Sequence, residues 1–175
     1  LRARYFPLVD DTVIGQITDI GLHGWTVDIN APYSAMLSLS DVVGRSFNPQ
    51  MESLSNILGV GDVIVGKVTI FDRTRDPHIT IQAPGLGRVS GGVVIGLTPT
   101  KIPRLIGKQG SMISLLKQGT GCDVIVGQNG KVLIRGREQK DIEIVIKAIN
   151  LIESSSHLSG LTDRIKVLLE NEKRR

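Results

Sequence analysis

The hydrophobic pattern between residues 10 and 82 is that of short β-strands. Residues 25–29, Trp-Thr-Val-Asp-Ile, alternate apolar and polar side chains, as a strand with one buried face does. Trp25 shares the parity of Val27 and Ile29, so we expect it in the core. The pattern predicts strands at residues 12–20, 25–29, 34–39, 63–71 and 78–82, with helical character from Phe47 to Leu58. Five strands interrupted by a helix after the third predict a small Greek-key barrel.

A different order of elements follows residue 92. A strand at residues 92–97 is predicted first, then two short helices that flank Gly107-Lys108-Gln109-Gly110. Strands at residues 122–126 and 131–135 enclose Asn129-Gly130, which is a strong signal of a tight hairpin. A long helix follows, with one apolar stripe formed by Ile142, Val145, Ile146, Ile149 and Ile152. The second half is therefore predicted to be an α/β module with the order β-α-α-β-β-α.

The chain divides between these two patterns. Residues 84–91 lie in a stretch rich in proline and glycine and are interpreted as a linker between a barrel at 8–83 and an α/β domain at 92–153. Residues 154–175 predict an extra amphipathic C-terminal helix, which we expect to pack back on that domain. The chain starts at Leu1 without a methionine, and residues 1–7 are interpreted as the tail of a missing N-terminal domain.

Charge is distributed unevenly along the 175 residues. Residues 101–140 carry 8 basic and 2 acidic side chains, a balance of +6, whereas the whole chain has a net charge of +4. A basic face is often only a solvated surface. Here it coincides with the Gly-x-x-Gly turn, and this coincidence favours a partner that carries phosphates.

The sequence gives little indication of a metal site, a cofactor site or a membrane span. Cys122 is the single cysteine, which excludes an internal disulfide and fits a reducing, cytoplasmic setting. We expect no metal site from this cysteine and the three scattered histidines His23, His78 and His157, and no cofactor. No apolar run approaches the about 18 residues of a membrane span, so no membrane partner is expected.

The Gly-x-x-Gly turn is the candidate binding site. Glycine lacks a Cβ atom, so the backbone of a ligand can approach the backbone of the protein at Gly107 and Gly110. The helix that follows presents its positive end to that ligand, and Lys108 adds a full charge. By spacing alone, a simple corner between two helices explains the glycines equally well.

The order of the elements distinguishes these two interpretations. From about Gly92 to Ile152 the chain resembles the KH RNA-binding module, with the core Ile106-Gly107-Lys108-x-Gly110-x-x-Ile113 in the order of that family. KH modules clamp about four nucleotides of a single strand in this loop. The resemblance implies an RNA-binding set that consists of Lys101, Arg104, Ile106, Gly107, Lys108, Gln109, Gly110 and Ile113.

The barrel is similar to the S1 RNA-binding domain, which has the OB architecture. The similarity is carried by Val13-x-Gly15-x-Ile17-x-Asp19-Ile20, by residues 24–29, by Leu39-Ser40-Asp41 and by residues 60–68. Positions at which this family often has stacking aromatic or histidine side chains are occupied here by His23, Thr26 and Ser38. We therefore expect weak RNA binding by the barrel through Lys67, Arg73 and Arg75, with His23 as a further contact. A solvated hairpin edge is an equally good explanation of these three basic residues.

A barrel followed by a KH module resembles the RNA-binding cap subunit of the archaeal RNA exosome, and residues 21–32 match that family most closely. Bacterial polynucleotide phosphorylase carries the two modules in the reverse order. The resemblance implies a subunit that has no catalytic residues and sits as a trimeric cap on a ring of RNase PH-like subunits. Such a cap gathers single-stranded RNA and guides it to the pore of the ring.

Two alternatives come from other classes of protein. A stand-alone nuclease needs converging carboxylates, and the candidates are Asp10, Asp11, Asp72 and Asp76. The last two flank Arg73 and Arg75, which more simply indicates an ion-paired turn. The other alternative is an assembly protein with weak RNA binding, and acidic residues in the Gly-x-x-Gly loop would have favoured it.

Overall fold

The structure, a computed structural model, describes residues 4–43, 53–155 and 159–175. The chain forms two compact units. The barrel unit comprises Arg4–Ser90 together with Gly127–Asn129, and the KH-like unit comprises Gly91–Val126 and Gly130–Arg175. The predicted helix between Phe47 and Leu58 lies partly outside the described residues, and its described part is the short helix Leu54–Ile57.

A closed sheet forms the barrel unit. Its elements are β1 Thr12–Ile20, β2 Gly24–Asp28, β3 Ala35–Ser38, α1 Ser40–Val43, α2 Leu54–Ile57, β4 Val63–Asp72, β5 Arg75–Thr80 and β6 Gly87–Arg88. The strands follow the order β1-β2-β3-β5-β4-β6, and a further pairing of β1 with β4 closes the barrel. The predicted five-stranded barrel is therefore confirmed.

Alternating burial along the strands builds the barrel core. Trp25 is 1% exposed and packs among Val27, Leu37 and Ile79, as its parity predicted. Its indole Nε1–H donates a hydrogen bond of 2.8 Å to the carbonyl of Leu58, so the one polar atom of the ring is satisfied. Trp25 is thus a core residue of the barrel.

Two boundaries differ from the prediction. The charged segment that starts at Asp72 was predicted to be a turn as far as Pro77, but β5 already begins at Arg75. Pro77 fits into the strand because the β4–β5 ladder is irregular between its Ile70 and Asp72 pairs, where no regular N–H donor is required. In the predicted linker, β6 pairs with Ile64 and Val65 on β4. A two-residue pairing needs only backbone groups, so the side-chain pattern does not reveal it.

Asn129 has a role in the barrel unit that its hairpin signal did not suggest. Its side chain is fully buried. The amide Nδ2 donates to the carbonyls of Ile14 and Ile29, at 2.8 and 2.9 Å, and Oδ1 accepts from the N–H of Ile14 at 3.2 Å. These bonds satisfy buried backbone groups at β1 and after β2, as buried polar groups require.

The KH-like unit contains the predicted order of elements. These are β7 Val93–Gly96, α3 Ile102–Ile106, α4 Ser111–Thr120, β8 Asp123–Val126, β9 Lys131–Arg135, α5 Gln139–Ser155 and α6 Leu161–Lys173. The three strands form an antiparallel sheet in the order β7-β9-β8. The order β-α-α-β-β-α is therefore confirmed, and α6 is the extra helix.

Apolar stripes hold the helices of this unit together. Ile142, Val145, Ile149 and Ile152 of α5 are buried in one core, and Ile146 packs against it half-buried. Leu161, Ile165 and Leu169 bury the inner face of α6 in the same core. The expectation that the last helix packs back on its own unit is thus confirmed. Among the described helices, none is both long enough and apolar enough to cross a membrane.

Candidate nucleic-acid interface

The Gly-x-x-Gly turn connects α3 to α4 through an unusual backbone. Gly107 has φ 76° and ψ 173°, Gln109 has φ 54° and ψ 32°, and Gly110 has φ 76° and ψ 14°. The N–H of Gly107 donates to the carbonyl of Pro103 at 2.9 Å, and the N–H of Gly110 donates to the carbonyl of Gly107 at 3.2 Å. Three residues with positive φ therefore reverse the chain, of which Gln109 and Gly110 lie in the short 3₁₀ turn Lys108–Gly110 and Gly107 directly precedes it.

The two glycines are needed for different reasons. A Cβ atom on Gly107 would lie 2.6 Å from the backbone nitrogen of Met112, which is closer than real contacts allow, whereas one on Gly110 would make only an ordinary contact of 3.9 Å with Ile113. The backbone conformation of Gly107 is one that essentially only glycine adopts. Gly107 thus lets the turn close onto the start of α4, and Gly110 only supplies a left-handed conformation.

This difference predicts unequal costs of substitution. Gly107→Ala should lower the free energy of unfolding of the KH-like unit by about 1 kcal/mol more than Gly110→Ala, because it adds a clash with Met112 to the backbone strain. Urea titration followed by circular dichroism measures both variants, with Gly110→Ala as the matched control. Equal losses would contradict the tight contact at Met112.

The predicted RNA-binding residues of this unit fall into three groups. Arg104, Lys108 and Gln109 are exposed on the turn and on α3. Ile106 and Ile113 are half-buried, so part of each apolar side chain is available to a ligand beside the turn. Lys101 is engaged elsewhere, since its ammonium donates to the backbone carbonyl of Glu153 on α5. The charges that a ligand can reach at the turn are therefore those of Arg104 and Lys108.

The surroundings of the turn favour an anion. The exposed cations Arg104 and Lys108 lie beside the N-terminal end of α4. The dipole of this ten-residue helix has its positive end at the turn. A cavity of about 380 Å³ borders this place and is lined by residues that include Arg104, Gly107, Lys108 and Ser111. The Cβ direction of Gly107 faces Met112 and not a ligand, contrary to the expectation from the sequence, so a phosphate would be held by the two cations and the positive end of α4.

Three of the predicted contacts of the barrel, His23, Thr26 and Ser38, lie close together on the β2–β3 pair, where the carbonyl of His23 accepts a hydrogen bond from the N–H of Leu39. His23 is exposed in the turn between β1 and β2. Thr26 and Ser38 lie half-buried on neighbouring strands, and the hydroxyl of Ser38 donates to Asp41 at 2.6 Å. Lys67 is paired with Asp10 at 3.4 Å. Thr26 and Ser38 are uncharged and Lys67 is paired with Asp10, so these side chains do not form a basic site for phosphates.

Arg73 and Arg75 lie beside three aromatic rings that the sequence analysis missed. A groove of about 660 Å³ is lined by Phe6, Tyr33, Phe71 and the turn from Asp72 to Asp76, together with Pro7, Leu8 and Val9; we call it the aromatic groove. The ring centroids of Phe6, Tyr33 and Phe71 are 5.4 to 6.0 Å apart. No local motif marks these residues, because they come from distant segments and meet only in the folded barrel.

The turn in the aromatic groove is held by its own hydrogen bonds. The backbone N–H and the hydroxyl of Thr74 donate to Oδ1 of Asp72 at 2.8 and 2.7 Å, and Nε of Arg75 lies 3.5 Å from Oδ2. The bonds from Thr74, more than the charge of Arg75, lower the pKa of the Asp72 carboxyl. Asp72 is thus a structural anion of the turn.

Three of the four carboxylates considered for a nuclease are used within the fold, and the fourth, Asp76, is exposed. Asp11 accepts a bond of 2.6 Å from the hydroxyl of Tyr5, Asp10 is paired with Lys67, and Asp72 holds its turn. Over the residues the structure describes, no group of three or more His, Cys, Asp or Glu side chains is placed to hold a metal ion.

Comparisons with known proteins agree with both units. A model of the RRP4 S1 domain matches residues 4–50, and a model of the KH domain matches residues 93–152. Exosome complex component Rrp4 of Thermosphaera aggregans is 44% identical over 172 residues, which are 98% of this chain and 69% of the relative. The protein of the same name from Thermofilum pendens is 41% identical over 174 residues, covering 99% and 73%.

A solved structure shows the same fold. The crystal structure, described as that of an exosome complex RNA-binding protein, matches with a TM-score of 0.91 at 41% identity, and the match covers 98% of each chain. Sequence and structure thus agree over nearly the whole length, and the chain belongs to the Rrp4 family of exosome complex components.

Proposed function

We propose that this chain is a non-catalytic RNA-binding subunit of an exosome, which captures single-stranded RNA and guides it to a degrading ring. The observation that carries the proposal is the Gly-x-x-Gly turn, with Lys108 and Gln109 exposed beside the start of α4. A helix N-terminus and two exposed cations suit the phosphodiester chain of RNA.

The membership in the Rrp4 family supplies the context of this activity. We further propose that the chain sits in the cytoplasm as part of a trimeric cap on RNase PH-like ring subunits, as its resemblance to the archaeal cap implied. The contacts proposed for RNA at the KH-like unit are Arg104, Ile106, Gly107, Lys108, Gln109, Gly110 and Ile113. Lys101 is left out because Glu153 holds its ammonium. No observation favours a stand-alone nuclease.

The salt dependence of RNA binding should report how many RNA phosphates the chain neutralises. If about three to five phosphates are neutralised, log K against log salt should fall with a slope of about −2 to −3.5 for a single strand. Fluorescence anisotropy of a labelled oligoribonucleotide, repeated over a series of salt concentrations, measures this slope. A flat response, or no binding at low salt, would overturn the proposed function.

Assembly is tested separately. Affinity isolation of the chain from its source cell should co-purify RNase PH-like subunits, which mass spectrometry identifies. Isolation of the chain without such subunits would contradict the proposed assembly on a ring, whereas the proposed RNA binding would stand.

A further inference from the structure

The rings of the aromatic groove in the barrel unit are more exposed than core side chains are. Phe6 is 58% exposed and Tyr33 is 41% exposed, although each ring contacts two others. The planes of the three rings are inclined by 55° to 85°, so the rings meet edge to face and do not stack on one another. Such contacts hold the rings in place before any ligand arrives.

Charge in the groove shows what kind of ligand fits. Arg75 is paired with Asp72, and Asp76 is exposed. Arg73 is exposed and makes no ion pair with any residue that the structure describes. The charges of these four side chains sum to zero, so the groove has no net positive charge that would attract phosphates. Its attraction must come mainly from the ring faces, with one guanidinium available at the rim.

We propose that the aromatic groove is a nucleobase site, in which a base of single-stranded RNA stacks on Phe6 or Tyr33 and Arg73 contacts the adjoining phosphate. The proposal rests on the proposed function, because it assigns a second contact to the same RNA. Base stacking on aromatic side chains is a common and sequence-tolerant mode of binding single strands. The volume of about 660 Å³ lies within the about 300–1,000 Å³ of ligand pockets.

The position in the fold supports a base rather than a protein segment. The β4–β5 turn of an OB barrel is one of the loops with which this architecture binds oligonucleotides, and Arg73 lies in that turn. Leu8 and Val9 are also exposed and would suit an apolar protein partner. Such a partner needs apolar volume alone, whereas a base needs the π-faces of the rings, and this difference can be tested.

The test replaces ring faces and keeps apolar volume. Phe6→Leu combined with Tyr33→Leu should weaken binding of a short oligoadenylate by about five-fold or more, because stacking on both rings is lost. The salt slope should stay unchanged, since no charge is altered. Tyr33→Phe keeps the ring and should bind like the parent chain. Val60→Ala, at an apolar position of the barrel that is 63% exposed, is the control.

Two further readouts identify the contact directly. An oligonucleotide of the same length with abasic residues should bind the double leucine variant and the parent chain equally well. A 5-bromouridine-labelled RNA should crosslink under ultraviolet light to a peptide that contains Phe6, Tyr33 or Phe71. Melting temperatures of all variants confirm that the barrel is folded.

The outcomes separate this inference from the proposed function. If the parent chain binds RNA and the double leucine variant binds it equally tightly, the base site is overturned, the proposed function stands, and the groove suits a protein partner. If the parent chain binds no RNA at all, the proposed function fails and this site fails with it.

Discussion

Replacing Lys108 and Gln109 together with aspartate should lower the affinity of the chain for single-stranded RNA at least about tenfold, which is about 1.4 kcal/mol. The substitution exchanges one positive and one neutral side chain for two negative ones at the turn where phosphates are proposed to lie. Repulsion between close charges near a protein surface amounts to a few kcal/mol before salt screens it. Anisotropy titrations at one fixed salt concentration measure the loss.

The fold should tolerate this double substitution. Both side chains are exposed, and neither contributes to the core of the KH-like unit. We expect the melting temperature to change by no more than about a degree or two. A loss of affinity with an unchanged melting temperature would then report on binding alone.

A matched control exists in the same unit. Gln139 and Lys140 are exposed at the start of α5 and carry the same pair of residue types. Their replacement by aspartate changes the net charge equally, and negative charge suits the first turn of a helix. Equal losses in the two double variants would point to long-range charge rather than to a site. No loss at Lys108 and Gln109 would mean that the KH-like unit is not the principal RNA site.

Much of the fold could be predicted because its signals are local. Strand alternation, the Asn129-Gly130 hairpin signal and the stripe along α5 each depend on neighbouring residues and on the period of one element. The Gly-x-x-Gly turn was found for the same reason, since both glycines stand within four residues of each other. The order of these elements then identified each unit.

What could not be predicted depends on residues that are distant in sequence. The ammonium of Lys101 reaches a carbonyl 52 residues away, which no pattern around Lys101 reveals. Tyr33 and Phe71 come from different loops and strands, and Phe6 comes from the segment before the first strand. Stacking side chains were expected only at the positions typical of the S1 family, which hold His23, Thr26 and Ser38 here, so no aromatic platform was predicted in the barrel. The structure instead places rings at another part of the same unit.

The two units also differ in how a ligand can be held. The Gly-x-x-Gly turn offers a helix end and cations, which suit phosphates, whereas the aromatic groove offers ring faces and a balanced charge. If both proposals hold, the KH-like unit determines most of the salt dependence and the barrel most of the base dependence. Combining the aspartate pair with the leucine pair should therefore give additive losses, as independent sites do.

Trp25→Ala should destabilise the barrel unit by about 3–5 kcal/mol, the usual cost of truncating a core aromatic side chain. Trp25 is 1% exposed, so alanine leaves a cavity among Val27, Leu37 and Ile79. The carbonyl of Leu58 also loses the donor that satisfies it. Differential scanning calorimetry can follow the barrel and the KH-like unit as separate transitions, and only the barrel transition should shift.

Trp25→Phe separates the two contributions to this loss. Phenylalanine keeps much of the apolar volume but has no N–H, so its cost should be nearer the about 1–3 kcal/mol of an unsatisfied buried acceptor. Leu22→Ala, at a position that is 90% exposed, should leave the barrel transition unchanged. RNA affinity of the folded fraction of Trp25→Ala should change little, because the indole is buried away from any ligand. A loss below about 1 kcal/mol for Trp25→Ala, or a drop in affinity without any loss of stability, would contradict the core position of this side chain.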